Sequence, residues 1–292
     1  MRVAGRIAAA LICAGTLIAT VKGAGSTLVF TTLDVPGAVL TNAQGINPQG
    51  DIVGIYTDAA GRQHGFLRSG EQYRSIDVPD ARLTSARGIN ASGDVVGNYQ
   101  REGETGGLPS HGFLLTRRGG LFKVDYPGHL NTIPQRILPD GTILGCYHDN
   151  DTMGTMHGME MRRGFTGMDM SMTMNNGATP DGEYTVGLFT DTDGRGKGYT
   201  VTRGSFAALE VPGALSTAAW DVNPSRVVVG VYTDAAGAVH GFQYDGQTFG
   251  RIDAPGAATT RVFGINPAGD MVGNFVDTAG RTHGFLAHWA AQ

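Results

Sequence analysis

The sequence predicts an all-β chain in which one four-stranded unit is repeated around a closed ring. Three observations carry that prediction. A stretch of about 43 residues recurs, first complete from Asp34 to Ile76 and beginning again at Asp77. Each copy holds four short apolar runs bounded by turn residues. Glycine supplies 46 of 292 residues, far above ordinary usage, as many tight turns require.

The copies align on four anchors. An acid precedes a PG-type turn at Asp34, Asp77, Asp125, Asp169, Glu210 and Asp253. A GIN-P-x-G-D turn places its Asn at Asn47, Asn90, Asn223 and Asn266, with Leu138 and Thr179 in the two divergent copies. An HGF motif places His64, His111, His157, His240 and His283, with Lys197 in the remaining copy. Six residues before each Asn position stands a threonine: Thr41, Thr84, Thr132, Thr173, Thr217 and Thr260. Six copies follow.

Within the first copy one run ends at Ile46 and the turn Asn47-Pro48-Gln49-Gly50 follows. Asp51 to Tyr56, His64 to Leu67 and Tyr73 to Val78 are the other three runs. Short runs rich in Val, Ile, Tyr and Phe between Gly, Pro, Asn and Asp read as strands. No segment has the 3.6 period of an amphipathic helix. Four strands in a repeat of roughly 40–45 residues is the blade of a β-propeller. Six copies predict six blades of four antiparallel strands. The last copy stops after its third strand, near His283–Trp289, and the chain begins with an orphan fourth strand, Thr27 to Asp34. That strand is expected to complete the last blade and close the ring, which removes an exposed edge.

The GIN…GD(I/V)VG…D..G..HGFL…ID.PGA unit, from about Thr27 to Trp289, resembles the HAF-type repeats of bacterial extracellular proteins. The resemblance implies an exported, repeat-built protein and carries no catalytic residues with it.

Residues 1–23 read as a signal peptide. Arg2 and Arg6 precede an apolar run from Ile7 to Val21 that is short for a membrane span. Residues 24–292 then form one propeller domain. Loss of Arg2, Arg6 and Lys22 takes the net charge from −4 to about −7, which argues against nucleic acid or an anionic membrane as partner. The mature chain keeps one cysteine, Cys146, so no internal disulfide is expected. A monomer that binds an extracellular glycan, peptide or protein is the expected form.

Eight of the ten methionines fall in residues 146–174. Met168, Met170, Met172 and Met174 alternate, which in a strand puts them on one face. Thioether, thiolate and imidazole suit copper, so Cys146, His148, Met153, Met156, His157, Met159 and Met161 form a candidate metal set. On this reading Met153–Met161 begins in a turn and is solvent-accessible. The competing reading is flexible core filler, with Met168 and Met170 in the slots of Ile76 and Val78. No cofactor is required by the fold. Calcium is a weaker candidate: Asp191-Thr192-Asp193-Gly194 resembles half a calcium loop without its glutamate.

The repeated histidines read as structural, each hydrogen-bonded to the aspartate of the preceding turn, as His64 to Asp58. A ligand surface is expected where equivalent positions differ. Three residues before the Asn anchor the sequence runs Gln44, Arg87, Gln135, Asn176, Trp220 and Phe263. The next position is Gly in four copies but Arg136 and Asp221 in two. A varied ring of this kind near the axis fits a binding site, since Trp and Arg commonly anchor such surfaces. An axial polysaccharide hydrolase or lyase is a further alternative, although one axial acid, Asp221, is a poor start for two-carboxylate chemistry. No nucleophile elbow, phosphate loop or HExxH motif is present.

Overall fold

Glycine and proline turns cut the chain into strands, and no described element is helical. The computed structural model describes residues 27–104, 109–149, 155–162, 164–167 and 172–290, with the backbone of 16–19. Strands β1 (Thr16–Ala19) and β2 (Thr27–Leu33) come first. The first unit is β3 (Leu40–Ile46), β4 (Ile52–Thr57), β5 (Gln63–Ser69) and β6 (Gln72–Ile76). The second is β7 (Ala81–Ile89), β8 (Val95–Arg101), β9 (His111–Leu115) and β10 (Leu121–Lys123). The third is β11 (Asn131–Ile137), β12 (Ile143–His148), β13 (Met156–Met161) and β14 (Phe165–Gly167). The fourth is β15 (Thr173–Ala178), β16 (Tyr184–Thr190), β17 (Gly196–Thr202) and β18 (Ser205–Leu209). The fifth is β19 (Ser216–Val222), β20 (Val228–Thr233), β21 (Val239–Tyr244) and β22 (Phe249–Ile252). The last contains β23 (Thr259–Ile265), β24 (Met271–Val276) and β25 (Thr282–Ala290).

Every unit is an antiparallel meander in chain order, and a single parallel bridge, Gln63 to Leu83, joins the first two into one sheet. The last sheet runs β1-β2-β25-β24-β23. Thr27 pairs with Ala290 and Leu33 with Gly284, so the N-terminal strand lies beside the C-terminal one. β1, inside the stretch read as a leader, pairs outside β2.

The core is not one body but a set of layers between neighbouring units. Val53 and Ile76 of the first unit pack against Ala86, Ile89 and Phe113 of the second. Leu33 and Val272 pack against Ile46, Ile52 and Phe66, joining the last unit to the first. The Phe of the HGF motif is the centrepiece of each layer: Phe66, Phe113, Phe242 and Phe285 are buried, and Met159 and Tyr199 take its place in the third and fourth units.

The repeat anchors hold the turns. Asn47 Oδ1 accepts from the N–H groups of Gln49 (3.0 Å) and Asp51 (2.8 Å), and Gly50 takes φ 82° to close that hairpin. Thr41 Oγ1 accepts from Val35 N at 3.0 Å, a contact repeated by Thr84, Thr132, Thr217 and Thr260. Thr173 instead accepts from Gly158 N.

Candidate functional site

The first strand of every unit carries a β-bulge at the same register. The pairing of β3 with β4 steps from Ala43 to Gly45, and the same step recurs in β7, β11, β15, β19 and β23. The residue skipped is the variable position: Gln44, Arg87, Gln135, Asn176, Trp220 and Phe263. Such a bulge leaves one residue out of the ladder and bends the strand. The ring was legible in the sequence as variability, but the bulge was not, because nothing in the residue types marks it.

Most of these side chains turn into the packing. Gln44, Gln135, Asn176 and Phe263 are buried, and Arg87 and Trp220 are half-buried. Trp220 and Phe263 meet edge to face, with centroids 5.0 Å apart. Asn176 Nδ2 donates to Ala219 O of the next unit (2.8 Å), Gln135 Nε2 reaches Met174 Sδ (3.3 Å), and Arg87 Nε donates to Asn98 Oδ1 (2.6 Å). Burial pulls the Arg87 pKa down from its ordinary value.

The glycine after the bulge lets the first strands approach one another. A Cβ at Gly45 would lie 2.8 Å from Arg87 O, and at Gly177 2.6 Å from Asp221 Oδ1. Arg136 and Asp221, which replace that glycine, meet across the axis. Arg136 Nε lies 3.2 Å from Asp221 Oδ2, an ion-pair contact rather than an aligned hydrogen bond. Arg136 Nη1 donates to Arg87 O and Gln135 O (both 3.0 Å), and Nη2 donates to Phe263 O. Asp221 accepts from Val222 N (3.0 Å) and Ile265 N (3.1 Å). Burial pushes the Asp221 carboxyl up and Arg136 opposes it. The pair thus fills the axis and ties four units together.

Beside this plug, at the Asn-Pro turns, is a cavity of about 100 Å³ lined by Ile46, Ile89, Ile137, Ala178, Val222 and Ile265, one residue from each unit. Small-molecule sites typically occupy roughly 300–1,000 Å³. A cavity of about 380 Å³ lies between the first and second units, walled by Asn47, Asp51, Ser69, Arg74, Thr116 and Arg117 among others. Asp51 is held there by Ser69 Oγ (2.6 Å) and Asn47 Nδ2 (3.1 Å). Arg74 and Arg117 are exposed, and among the described residues neither guanidinium has an ion-pair partner. Arg117 packs its stem over Gly93. The corresponding residues to Arg74 are Phe122, Thr166, Ala207, Gly250 and Thr31, so that cation belongs to one cleft alone.

The candidate metal set divides. Met153 lies outside the described residues. Cys146, His148 and Met156 sit together at the interface with the fourth unit, where Met172, Met174 and Leu188 pack against them. Met159 and Met161 belong to the opposite layer, with Val96, Val124 and Ile143. His157 stacks on Tyr147 (5.0 Å) and reaches Asp149 (3.3 Å). The six described residues of the set therefore do not converge on one point. The expectation of an accessible turn also fails for Met156 and Met159, which are buried in β13, because that strand has a core face on each side.

Four of the five repeated histidines sit between two carboxylates among the described residues. His64 Nδ1 is 2.7 Å from Asp77 and Nε2 3.3 Å from Asp58. His240 reaches Asp253 (2.9 Å) and Asp234 (3.2 Å), and His283 reaches Asp34 (2.9 Å) and Asp277 (3.3 Å). In the second unit Glu104, three residues past the end of β8, takes the place of the turn aspartate and lies 3.2 Å from His111. Lys197 fills the same slot between Asp191 (3.2 Å) and Glu210 (3.1 Å). Sequence reasoning found the turn partner and missed the second one, the acid of the PG anchor. Asp191 of the calcium-like stretch is engaged by Lys197 and by the N–H groups of Asp193 and Arg195.

No family model matches the sequence, and no curated protein matches it. Solved structures do. The TolB protein of Acinetobacter baumannii superposes with a TM-score of 0.56 at 15% identity, over 83% of this chain and 67% of that one. The SapL1 lectin, in complex with α-methyl fucoside, gives 0.54 at 11% identity over 87% and 95%. The propeller domain of the Trilobed protease of Pyrococcus furiosus gives 0.50 at 11% over 87% and 98%. The fold is a β-propeller. A lectin of Aleuria aurantia, in complex with Fucα1-6GlcNAc, is similar as well, with a TM-score of 0.51 at 10% identity over 85% and 94%. In this propeller the repeat units are blades, and no described helix is long and apolar enough to cross a membrane.

Proposed function

We propose that the chain is an exported six-bladed propeller that binds an anion-bearing saccharide in the cleft between its first and second blades. Ring closure by β2 is supported by its seven-residue pairing with β25 and by the packing of Leu33 against Ile46 and Phe66. Export is supported by the signal-like residues 1–23 and by the HAF-type repeat pattern.

One observation carries the ligand reading. Among the described residues Arg74 and Arg117 have no ion-pair partner, and both line a cleft of about 380 Å³ beside Asp51, Ser69, Asn47 and Thr116. Guanidinium forks match carboxylate and sulfate oxygens two at a time. The hydroxyl and amide groups around them match sugar hydroxyls. The fucoside complexes of the similar lectins make a saccharide the class to test first. The axis serves this function as a fixed hub, since Arg136 and Asp221 already satisfy one another there.

The test is calorimetric titration of the purified protein with glucuronate- and galacturonate-terminated oligosaccharides, their neutral counterparts and α-methyl fucoside, beside Arg74→Ala/Arg117→Ala. Acidic sugars should bind, and the double variant should lose at least ten-fold in affinity. Equal binding of acidic and neutral sugars, or an unaffected double variant, would refute the cleft.

A further inference from the structure

The interface between the third and fourth blades has a composition that the fold does not require. The same slot recurs at other interfaces and can be read by register. Tyr147 pairs with His157 as Tyr99 pairs with His111 and Tyr56 with His64. Cys146, His148 and Met156 therefore correspond to Asn98, Gln100 and Ser110 in the second blade, and to Ile55, Thr57 and Gln63 in the first. In the fifth blade they correspond to Val231, Thr233 and Val239. At the second blade the slot is a polar network, with Asn98 Nδ2 donating to Ser110 Oγ (2.9 Å) and Ser110 N to Asn131 Oδ1 (2.8 Å). At the first, Gln63 Nε2 donates to Ser85 Oγ (2.7 Å), and Ser85 corresponds to Met174. Amides, hydroxyls and aliphatic groups all fill this position, so packing alone does not call for sulfur.

Here the slot holds a thiol, an imidazole and thioethers. Cys146 Sγ lies 3.7 Å from His148 Nε2, and both residues are fully buried. Met156 is the register partner of His148, and Met172 and Met174 close the cluster from the fourth blade. Among the described residues no three His, Cys, Asp or Glu side chains converge, so the donor set is one in which sulfur predominates. Thiolate and thioether are soft donors that select Cu(I) over hard cations. Methionine, unbranched and with three rotatable bonds, can re-aim its sulfur without moving the backbone.

We propose that Cys146, His148, Met156 and Met174 form a binding site for Cu(I) between the third and fourth blades. On binding, the Cys146 S–H bond breaks, its proton passes to solvent, and the thiolate sulfur forms a bond to the cation. No electron is transferred. The product, one thiolate and one monovalent cation, is neutral overall, which is the form that a buried site tolerates. This site is independent of the saccharide cleft and uses none of its residues.

The experiment is anaerobic titration of the purified protein with Cu(I) against a chromophoric chelator, with four variants. One equivalent should be withdrawn from the chelator, with a thiolate-to-Cu(I) absorption band in the near ultraviolet. Cys146→Ser should lose the band and at least 100-fold in affinity. Met156→Leu and Met174→Leu should each lose about ten-fold, and Met159→Leu, in the opposite layer, should lose nothing. The two leucine variants conserve side-chain volume and retain the thiol, so they decide the matter if Cys146→Ser fails to fold. No withdrawal of Cu(I), binding retained in Cys146→Ser, or equal losses in Met156→Leu and Met159→Leu would overturn the site.

Discussion

Removing Arg136 should be among the most damaging single changes in the molecule, and removing its partner as well should restore much of the loss. Arg136→Met takes away two 3.0 Å hydrogen bonds to Arg87 O and Gln135 O, the bond to Phe263 O and the ion pair to Asp221. Both ionised side chains are about 10% exposed, so Asp221 is left charged and shielded from water. Breaking a buried pair from one side costs about 3–5 kcal/mol. At roughly 2–4 °C per kcal/mol for a chain of this size, Tm should fall by about 10 °C. Asp221→Asn in the Arg136→Met background removes the stranded charge while its amide oxygen still accepts from Val222 N. That double variant should recover at least ~2 kcal/mol relative to Arg136→Met alone. The assay is urea denaturation followed by circular dichroism across the four-member cycle. A pH series adds a signature. Burial holds the Asp221 carboxyl above its ordinary range, and without Arg136 that rise is unopposed. A raised carboxylate favours the native state below its unfolded value and penalises it as pH climbs through the native one. The deficit of Arg136→Met should therefore shrink as pH is lowered toward 4. A single-variant loss below ~1 kcal/mol, or a cycle with no coupling, would refute the assignment of the pair as the axial hub.

Three other outcomes are expected. Gly230→Ala puts a Cβ 2.1 Å from Ala218 O and 2.6 Å from the Phe242 ring, so denaturant midpoints should report a loss of about 3 kcal/mol, the upper end for overpacking. His240→Leu leaves Asp234 and Asp253 facing a group that cannot donate, which should cost ~1–3 kcal/mol, whereas His240→Lys should keep most of the stability because Lys197 already fills that slot between two acids. Thermal melts should also show stability lost in acid: the backbone N–H groups of Arg62, Ala238 and Arg281 hold Asp58, Asp234 and Asp277 below the usual carboxylate range, so their contribution is complete above about pH 4 and disappears as pH falls through the lower native values.

The blade plan was readable because each anchor solves a local problem in every copy: asparagine and glycine close one turn, threonine pins the linker, phenylalanine fills the layer. The variable ring was readable too, since six equivalent places carried five different residues. What those residues do was hidden. A bulge arises from the pairing of two strands, and Gln44 or Asn176 looks the same in sequence whether it faces solvent or a neighbouring blade. The metal candidates show the complementary case. Met156 and Met159 are an odd number of positions apart, so a strand must send them to opposite faces, and the period alone separates them once residues 156–161 are recognised as one strand. The cleft beside Arg74 and Arg117 had no sequence signal, because it depends on two blades meeting and on neither guanidinium being ion-paired among the described residues.

The seam at the last blade has a practical consequence. Thr27 and Ala290 are register partners on adjacent antiparallel strands, so a short designed hairpin of two to four residues spans them. The chain can then be opened elsewhere, for example at the exposed Arg203-Gly204 turn, where the residues already adopt φ 49° and 80°. Such a circular permutant keeps every layer between blades while moving the free ends half-way round the molecule. Because the blades differ in sequence but share one register, where the polypeptide starts becomes a choice of the engineer rather than a property of the architecture.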